Sequence, residues 1–309
     1  MFTRNDFKKE KIKMRKNNRW RKRILILVIC LISMYGGIIS VRGEQSSTVR
    51  TQTTSQVPKI KVVVSILPLS EFVEKVGGNK VEVSVMVPPG ASPHTYEVTP
   101  KQMKELSKAR LFVKVGSLIE FELSWIDKII AINKNMLVID SSQGIPLMGK
   151  NPHIWLSPKN AEIQVHNICE GLIKIDPANK EYYIQNKDAY LVKLNKLDKD
   201  IKDSLLKVKD RKFMVFHPAW SYFARDYNLK QISIEKEGKE PNAKGIIALI
   251  KQAKANNIKI IFVSPQFSVK SAEVIANEIG GRVAFIDPLA KDYIKNMYKV
   301  LDELVQGME

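Results

Sequence analysis

From Lys59 onward, short β-branched runs alternate with stretches whose apolar residues recur every three or four positions. The first pattern has the period of a buried strand and the second that of an amphipathic helix. Strands are expected at 59–67 (KIKVVVSIL), 81–87, 110–115 and 136–140, with helices at 69–77, 100–108 and 119–132 between them. Thr99-Pro100-Lys101-Gln102 supplies an N-cap, a proline at the first helical position and a capping-box glutamine. Another helix follows Ser157-Pro158, with Ala161, Val165, Ile168, Cys169 and Leu172 on one face.

A longer helical stretch then begins after Asp176-Pro177. Tyr183, Tyr190, Leu194, Leu197, Ile201, Leu205 and Val208 recur on one face, and no Gly or Pro interrupts 178–208. At 1.5 Å per residue this predicts a rod of ~45 Å. Alternation resumes with strands at 212–216, 230–234, 258–263 and 282–286 and helices at 219–227, 244–256, 269–279 and 291–306. The pattern predicts an α/β protein of two lobes, each with a mainly parallel four-stranded sheet, joined by one long rigid α-helix. The expected divisions are a first lobe over 59–175, the linker helix over 176–208 and a second lobe over 209–309. A chain of 309 residues is long enough for two such lobes.

The N-terminal residues break this pattern. Residues 1–23 hold eleven Lys/Arg and two acids, half of the chain's net charge of +18, directly before an apolar run from Ile24 to Val41. A basic head, an apolar stretch and a small-residue exit mark a secretory signal, and Val41-Arg42-Gly43 is a tolerable cleavage site. The run is also long enough to stay as a membrane anchor. Under either reading, residues 1–43 direct export and the rest of the chain works outside the cytoplasm. The same segregation of charge argues against a nucleic-acid partner. Residues 44–58, rich in Ser, Thr and Gln, read as a flexible tether. Cys30 lies within the apolar run, in a context that only loosely resembles a lipidation box. Cys169 is then the one thiol of the exported part, which leaves no intrachain disulfide, and its helical face makes it a small core residue.

Ligands of open parallel sheets bind beyond the carboxyl ends of the strands, so the loops there are where chemistry is expected. Three of the four histidines lie in such loops: His94 in PPGASPHTYE, His153 in NPHIWLSP and His217 in FHPAW. Asp287 follows the last strand in IDPL, and a proline stiffens each of the four loops. Three neutral imidazoles and a carboxylate would complete a shell for a borderline ion such as Zn²⁺. On spacing alone the signal is weak, because the four residues lie roughly sixty to seventy positions apart. Isolated histidines capping helices or lining loops remain the competing reading.

Co-linear motifs add to this. VVVSILPLSEFVEKVGG (62–78), VPPGASPHTYEVTP (87–100), NPHIWLSPKNA (151–161), FHPAWSYFARDYNL (216–229) and IDPLAKDYI (286–294) make the chain resemble the zinc- and manganese-binding solute receptors of ABC importers. The resemblance runs from Lys59 to the C-terminus. It implies a metal held by His94, His153, His217 and Asp287, no catalysis, and partnership with an ABC permease and its ATPase. It further implies a monomeric receptor in the periplasm or on the outer face of the cytoplasmic membrane. Manganese-type relatives use a glutamate where this chain has His217, so the resemblance implies zinc, with Mn²⁺ or iron as the alternative. The region 116–150 lacks the His-rich loop of many zinc-type relatives. Two other classes compete: a surface adhesin, and a metallohydrolase, which would need an open coordination position and a nearby general base. His166 is expected to be structural. Trp155 and Trp220 either wall the site or pack the lobes, and Glu97 and Glu240 either orient a ligand imidazole or lie solvated.

Overall fold

The computed structural model describes residues 58–236 and 238–308, which belong to one compact unit, Val57–Glu309. The segment expected to direct export, 1–43, and most of the expected tether, 44–58, lie outside the described residues. Among those described, no helix is long and apolar enough to cross a membrane.

The first half runs β1 (Ile60–Val64), α1 (Leu67–Gly77), β2 (Val81–Val85), α2 (Pro100–Leu106), β3 (Leu111–Lys114), α3 (Glu120–Ile132), β4 (Leu137–Asp140) and α4 (Pro158–Ile175). The linker α5 (Lys180–Leu205) follows. The second half runs β5 (Lys212–Val215), α6 (Ser221–Asp226), β6 (Lys230–Ser233), α7 (Ala243–Ala255), β7 (Ile260–Val263), α8 (Lys270–Glu278), β8 (Arg282–Phe285) and α9 (Tyr293–Met308). The strand orders are β2-β1-β3-β4 and β6-β5-β7-β8, parallel throughout. All eight expected strands form, each a little shorter than its apolar run. The ends of those runs leave the ladder to start the loops that carry the chemistry.

Local signals act as read. The Thr99 side chain accepts from the Gln102 amide N–H, and the Gln102 side chain answers at the Thr99 N–H. Asn160 N–H is capped by Ser157 Oγ at 3.1 Å. Gly171 on α4 packs against β4 so closely that an added Cβ would lie 1.5 Å from Ile139 Cδ1. A larger residue there would force the Ile139 side chain to shift.

The linker differs from a free-standing rod. Its regular part is 26 residues, about 39 Å long, after a 3₁₀ turn at Pro177–Asn179. Tyr183, Tyr190, Leu194, Leu197, Ile201 and Leu205 are buried, packed against α1 and α4 of the first half and α9 of the second. One apolar cluster therefore runs from the first lobe through α5 to one face of the second sheet, and a smaller cluster covers the other face. Cys169 sits in the larger cluster, and burial pushes its thiol up to about 11.

Buried polar contacts also join the two halves. Trp155 Nε1–H donates to Pro288 O at 2.7 Å, and the Tyr293 hydroxyl donates to Trp155 O at 2.8 Å. Glu71 on α1 accepts from Tyr190 of the linker at 2.9 Å and from the Tyr293 N–H at 2.5 Å. Ser157 donates to Asp226. These contacts tie the two halves together beside the cleft that the histidines line.

Candidate metal centre

Each histidine reaches the cleft on a fixed loop. His94 follows β2 in a segment stapled to α2, where Tyr96 donates to Gln102 Oε1 at 3.0 Å and Gln102 Nε2 donates to Met86 O. Its Nδ1 is 2.8 Å from Glu120 Oε2. Glu120 opens α3, and the start of that helix is pinned by Glu122. This buried carboxylate accepts from Ser65 Oγ at 2.5 Å, Val115 N–H at 2.5 Å and Gly116 N–H at 2.9 Å. Burial raises the Glu122 pKa, while those three donors oppose the rise.

His153 lies between β4 and α4, just before a 3₁₀ turn at Ile154–Leu156. Asn151 Oδ1 holds both its backbone N–H at 3.0 Å and its Nδ1 at 2.8 Å. Ser117 donates to Pro152 O, tying this loop to the end of β3. Burial, then repulsion from a charged His217 or His94, holds His153 well below the ordinary imidazole pKa. It stays neutral, as a ligand must.

His217 leaves the end of β5, and its Nδ1 lies 3.3 and 3.2 Å from the two oxygens of Glu235. Both side chains are buried, at 8% and 6% exposure. Phe267 stacks on the His217 ring, with centroids 4.7 Å apart and planes 18° apart.

The three rings converge through their other nitrogens. His217 Nε2 is 3.3 Å from His94 Nε2 and 3.2 Å from His153 Nε2. Every Nδ1 faces an oxygen acceptor and so carries the proton, which leaves the Nε2 atoms as bare lone pairs. Three lone pairs at that spacing repel unless a cation lies among them. For tetrahedral bonds of about 2.05 Å the nitrogen–nitrogen edge is about 3.3 Å. The two distances from His217 match it, so the residues fit an ion of zinc's size and preference for nitrogen. These three side chains form the cluster with metal-ligand spacing among the described residues.

Asp287 lies outside that cluster. Its Oδ1 accepts from Gln266 Nε2 at 3.0 Å and from the Leu289 N–H at 2.9 Å. His166 is exposed on α4, outside the cluster. Trp155 lines the pocket, 5.2 Å from the His153 ring, whereas Trp220 packs against Phe223. Glu97 is exposed, and Glu240 accepts from Ser271 at 2.6 Å. The carboxylates that orient imidazoles are instead Glu120 and Glu235. Sequence reasoning missed both, together with Gln266 and Phe267. Asn151 carried a local signal, since an Asn two residues before His153 is placed to accept from its N–H. Outside the histidines opens a cleft of about 640 Å³ bordered by Glu120, Glu235, Glu240 and Lys150.

A two-lobed parallel α/β protein with a histidine-lined cleft is of the class of metal-binding solute receptors, which are transport components and not enzymes. The chain belongs to the family described as zinc-uptake complex component A, periplasmic, which matches residues 62–307. It is 31% identical over 270 residues to the high-affinity zinc uptake system protein ZnuA of Bacillus subtilis strain 168, covering 79% of this chain and 83% of that one. A crystal structure of ZnuA superposes with a TM-score of 0.79 at 43% identity, covering 82% of this chain and all of the other. A zinc-bound ZnuA deletion mutant matches at 44% identity with a TM-score of 0.78, covering 82% of this chain and 99% of that one. Proteins of this family act outside the cytoplasm.

Proposed function

We propose that this chain captures a single zinc ion between its lobes on the three Nε2 atoms of His94, His153 and His217, and delivers it to an ABC importer. The permease receives the ion and the associated ATPase powers its passage. Residues 1–43 place the receptor outside the cytoplasm, cleaved or retained as an anchor, and it works as a monomer. The observation that carries this reading is the convergence of three imidazoles, with His217 Nε2 3.3 Å from His94 Nε2 and 3.2 Å from His153 Nε2 and each ring held by an acceptor at Nδ1. Asp287 is the carboxylate nearest in sequence logic to a fourth position: its Oδ1 accepts from Gln266 and Leu289, which leaves Oδ2 as the oxygen it would offer an ion. His217, where a glutamate would harden the site, supports zinc over manganese.

Native mass spectrometry of the protein with Zn²⁺ and Mn²⁺ in competition tests this. One zinc per chain, displaced little by equimolar manganese, is the expected spectrum. Two or more tightly held ions, or preferential manganese, would overturn the proposal.

A further inference from the structure

The strand β6 is an edge of its sheet, paired on one side only, by β5. Lys230 N–H donates to Arg211 O at 2.7 Å and Ile234 N–H to Val215 O at 2.9 Å, so the even-numbered residues turn their backbone groups towards β5. The alternate residues, Gln231 and Ser233, present theirs to the open side. Facing that edge is α7, whose Gly245, Ala248, Leu249 and Gln252 recur at the spacing of one helical face. Strand edge and helix enclose a groove of about 650 Å³, with Ile232, Ile234 and Leu249 as its buried apolar lining.

The free charges around this groove are positive. Lys230 stands at the start of β6. Beyond its other end Lys236 and Lys239 exchange backbone N–H to O bonds at 3.1 and 3.0 Å, in a tight turn through Gly238 at φ +75°. All three lysines are exposed, line the groove and pair with no carboxylate among the described residues. The carboxylate of the lining, Glu240, is engaged, accepting from Ser271 Oγ at 2.6 Å. Lysines on an open edge keep copies of one chain apart, which disfavours a second copy as occupant and favours an acidic one. We propose that the groove binds an extended acidic segment of another protein, which adds to β6 as a further strand. Its backbone would pair with Gln231 and Ser233, its apolar side chains would rest against Ala248 and Leu249, and its acidic ends would meet the lysines. At ~3.3 Å per residue Lys230 to Ile234 spans roughly 13 Å, so about five residues pair and the flanking ones reach the lysines. The groove lies outside the histidine cluster, but Gly238 and Glu240 also border the cleft, which places the bound segment beside the cleft's rim.

The test is fluorescence anisotropy of a labelled peptide, DEVTVED, titrated with the protein and compared with its uncharged counterpart NQVTVQN. Saturable binding of the acidic peptide is expected, with affinity about tenfold lower for the neutral peptide and for the Lys236→Glu/Lys239→Glu variant. Ser233→Pro deletes the outward N–H on an edge where proline is tolerated, and Ala248→Gln fills the groove from the helix side without touching the strand. Each should also weaken binding about tenfold. Denaturation midpoints identify the variants that keep the fold, so Ala248→Gln carries the test if proline impairs folding. No saturable binding, equal affinity for the neutral peptide, or parent-like binding by either folded groove variant overturns the proposal. Self-association of the protein that is lost in Ser233→Pro would overturn it by giving the edge to a second copy. Binding to phosphatidylglycerol vesicles in place of the peptide, lost in the lysine variant, would overturn it by giving the lysines to a membrane surface.

Discussion

Replacing Glu235 by glutamine isolates one contribution to zinc capture, because the amide oxygen can still accept from His217 Nδ1–H while the charge is lost. The carboxylate lies 3.2 Å from Nδ1, and adding the ring and a metal–nitrogen bond puts it about 7 Å from the ion. For a divalent cation at that distance, Coulomb's law gives about 5 kcal/mol at an effective dielectric of ~20 and about 1 kcal/mol at that of water. Partners of this kind cost roughly 10–100-fold in metal affinity when removed, or about 1.4–2.7 kcal/mol, inside that bracket. The Glu235 side chain is 6% exposed, so the larger end of the range applies to Glu235→Leu, which loses both charge and orientation, and about tenfold to Glu235→Gln. Glu120 holds His94 in the same way, but its side chain is 52% exposed. Solvent screens that carboxylate, and Glu120→Gln should cost under about threefold. Competition titration against a chromogenic chelator at pH 7.5 measures all three. Zinc affinity in Glu235→Gln within twofold of the parent, or a larger loss in Glu120→Gln, would refute the reasoning.

Zinc should change the overall dimensions only slightly, because α5 packs on both lobes and Trp155, Tyr293 and Glu71 bridge them; a large contraction in small-angle scattering on adding zinc would contradict this. Without metal, stability should fall as the pH drops below about 6.5, where the unfolded His153 takes a proton that the buried, neutral ring accepts only at lower pH. Denaturation midpoints at pH 7.5 and 5.5 should therefore converge in His153→Gln, and equal pH slopes in parent and variant would remove the effect. A 44–309 fragment made in the cytoplasm should be soluble and bind zinc like the parent; an unfolded fragment would give residues 1–43 a structural role.

The fold was legible because its signals are local. Val62, Val63 and Val64 read as a strand wherever they pack, and Thr99 and Gln102 form their capping box from neighbouring positions. The three histidines were legible as strand-end residues inside recognisable motifs. What orients them was not, because the partners meet only in three dimensions. Glu120 reaches His94 across 26 positions, through a helix start that Glu122 pins to two strand ends. Glu235 reaches His217 because β5 and β6 are paired. Asp287 has the right place in the sequence, yet its carboxylate is engaged by Gln266, a neighbour that only the β7–β8 pairing supplies. The continuous core through α5 escaped notice for the same reason: periodicity marks an apolar face without saying that two lobes share it.

Whether three histidine Nε2 atoms bind one zinc ion together is read by X-ray absorption at the zinc edge of the loaded protein. The spectrum should show three imidazole nitrogens at about 2.0 Å, with the multiple-scattering pattern of imidazole, falling to two in His217→Ala with a severe loss of affinity. A shell dominated by oxygen, or an imidazole count unchanged by that substitution, would contradict it.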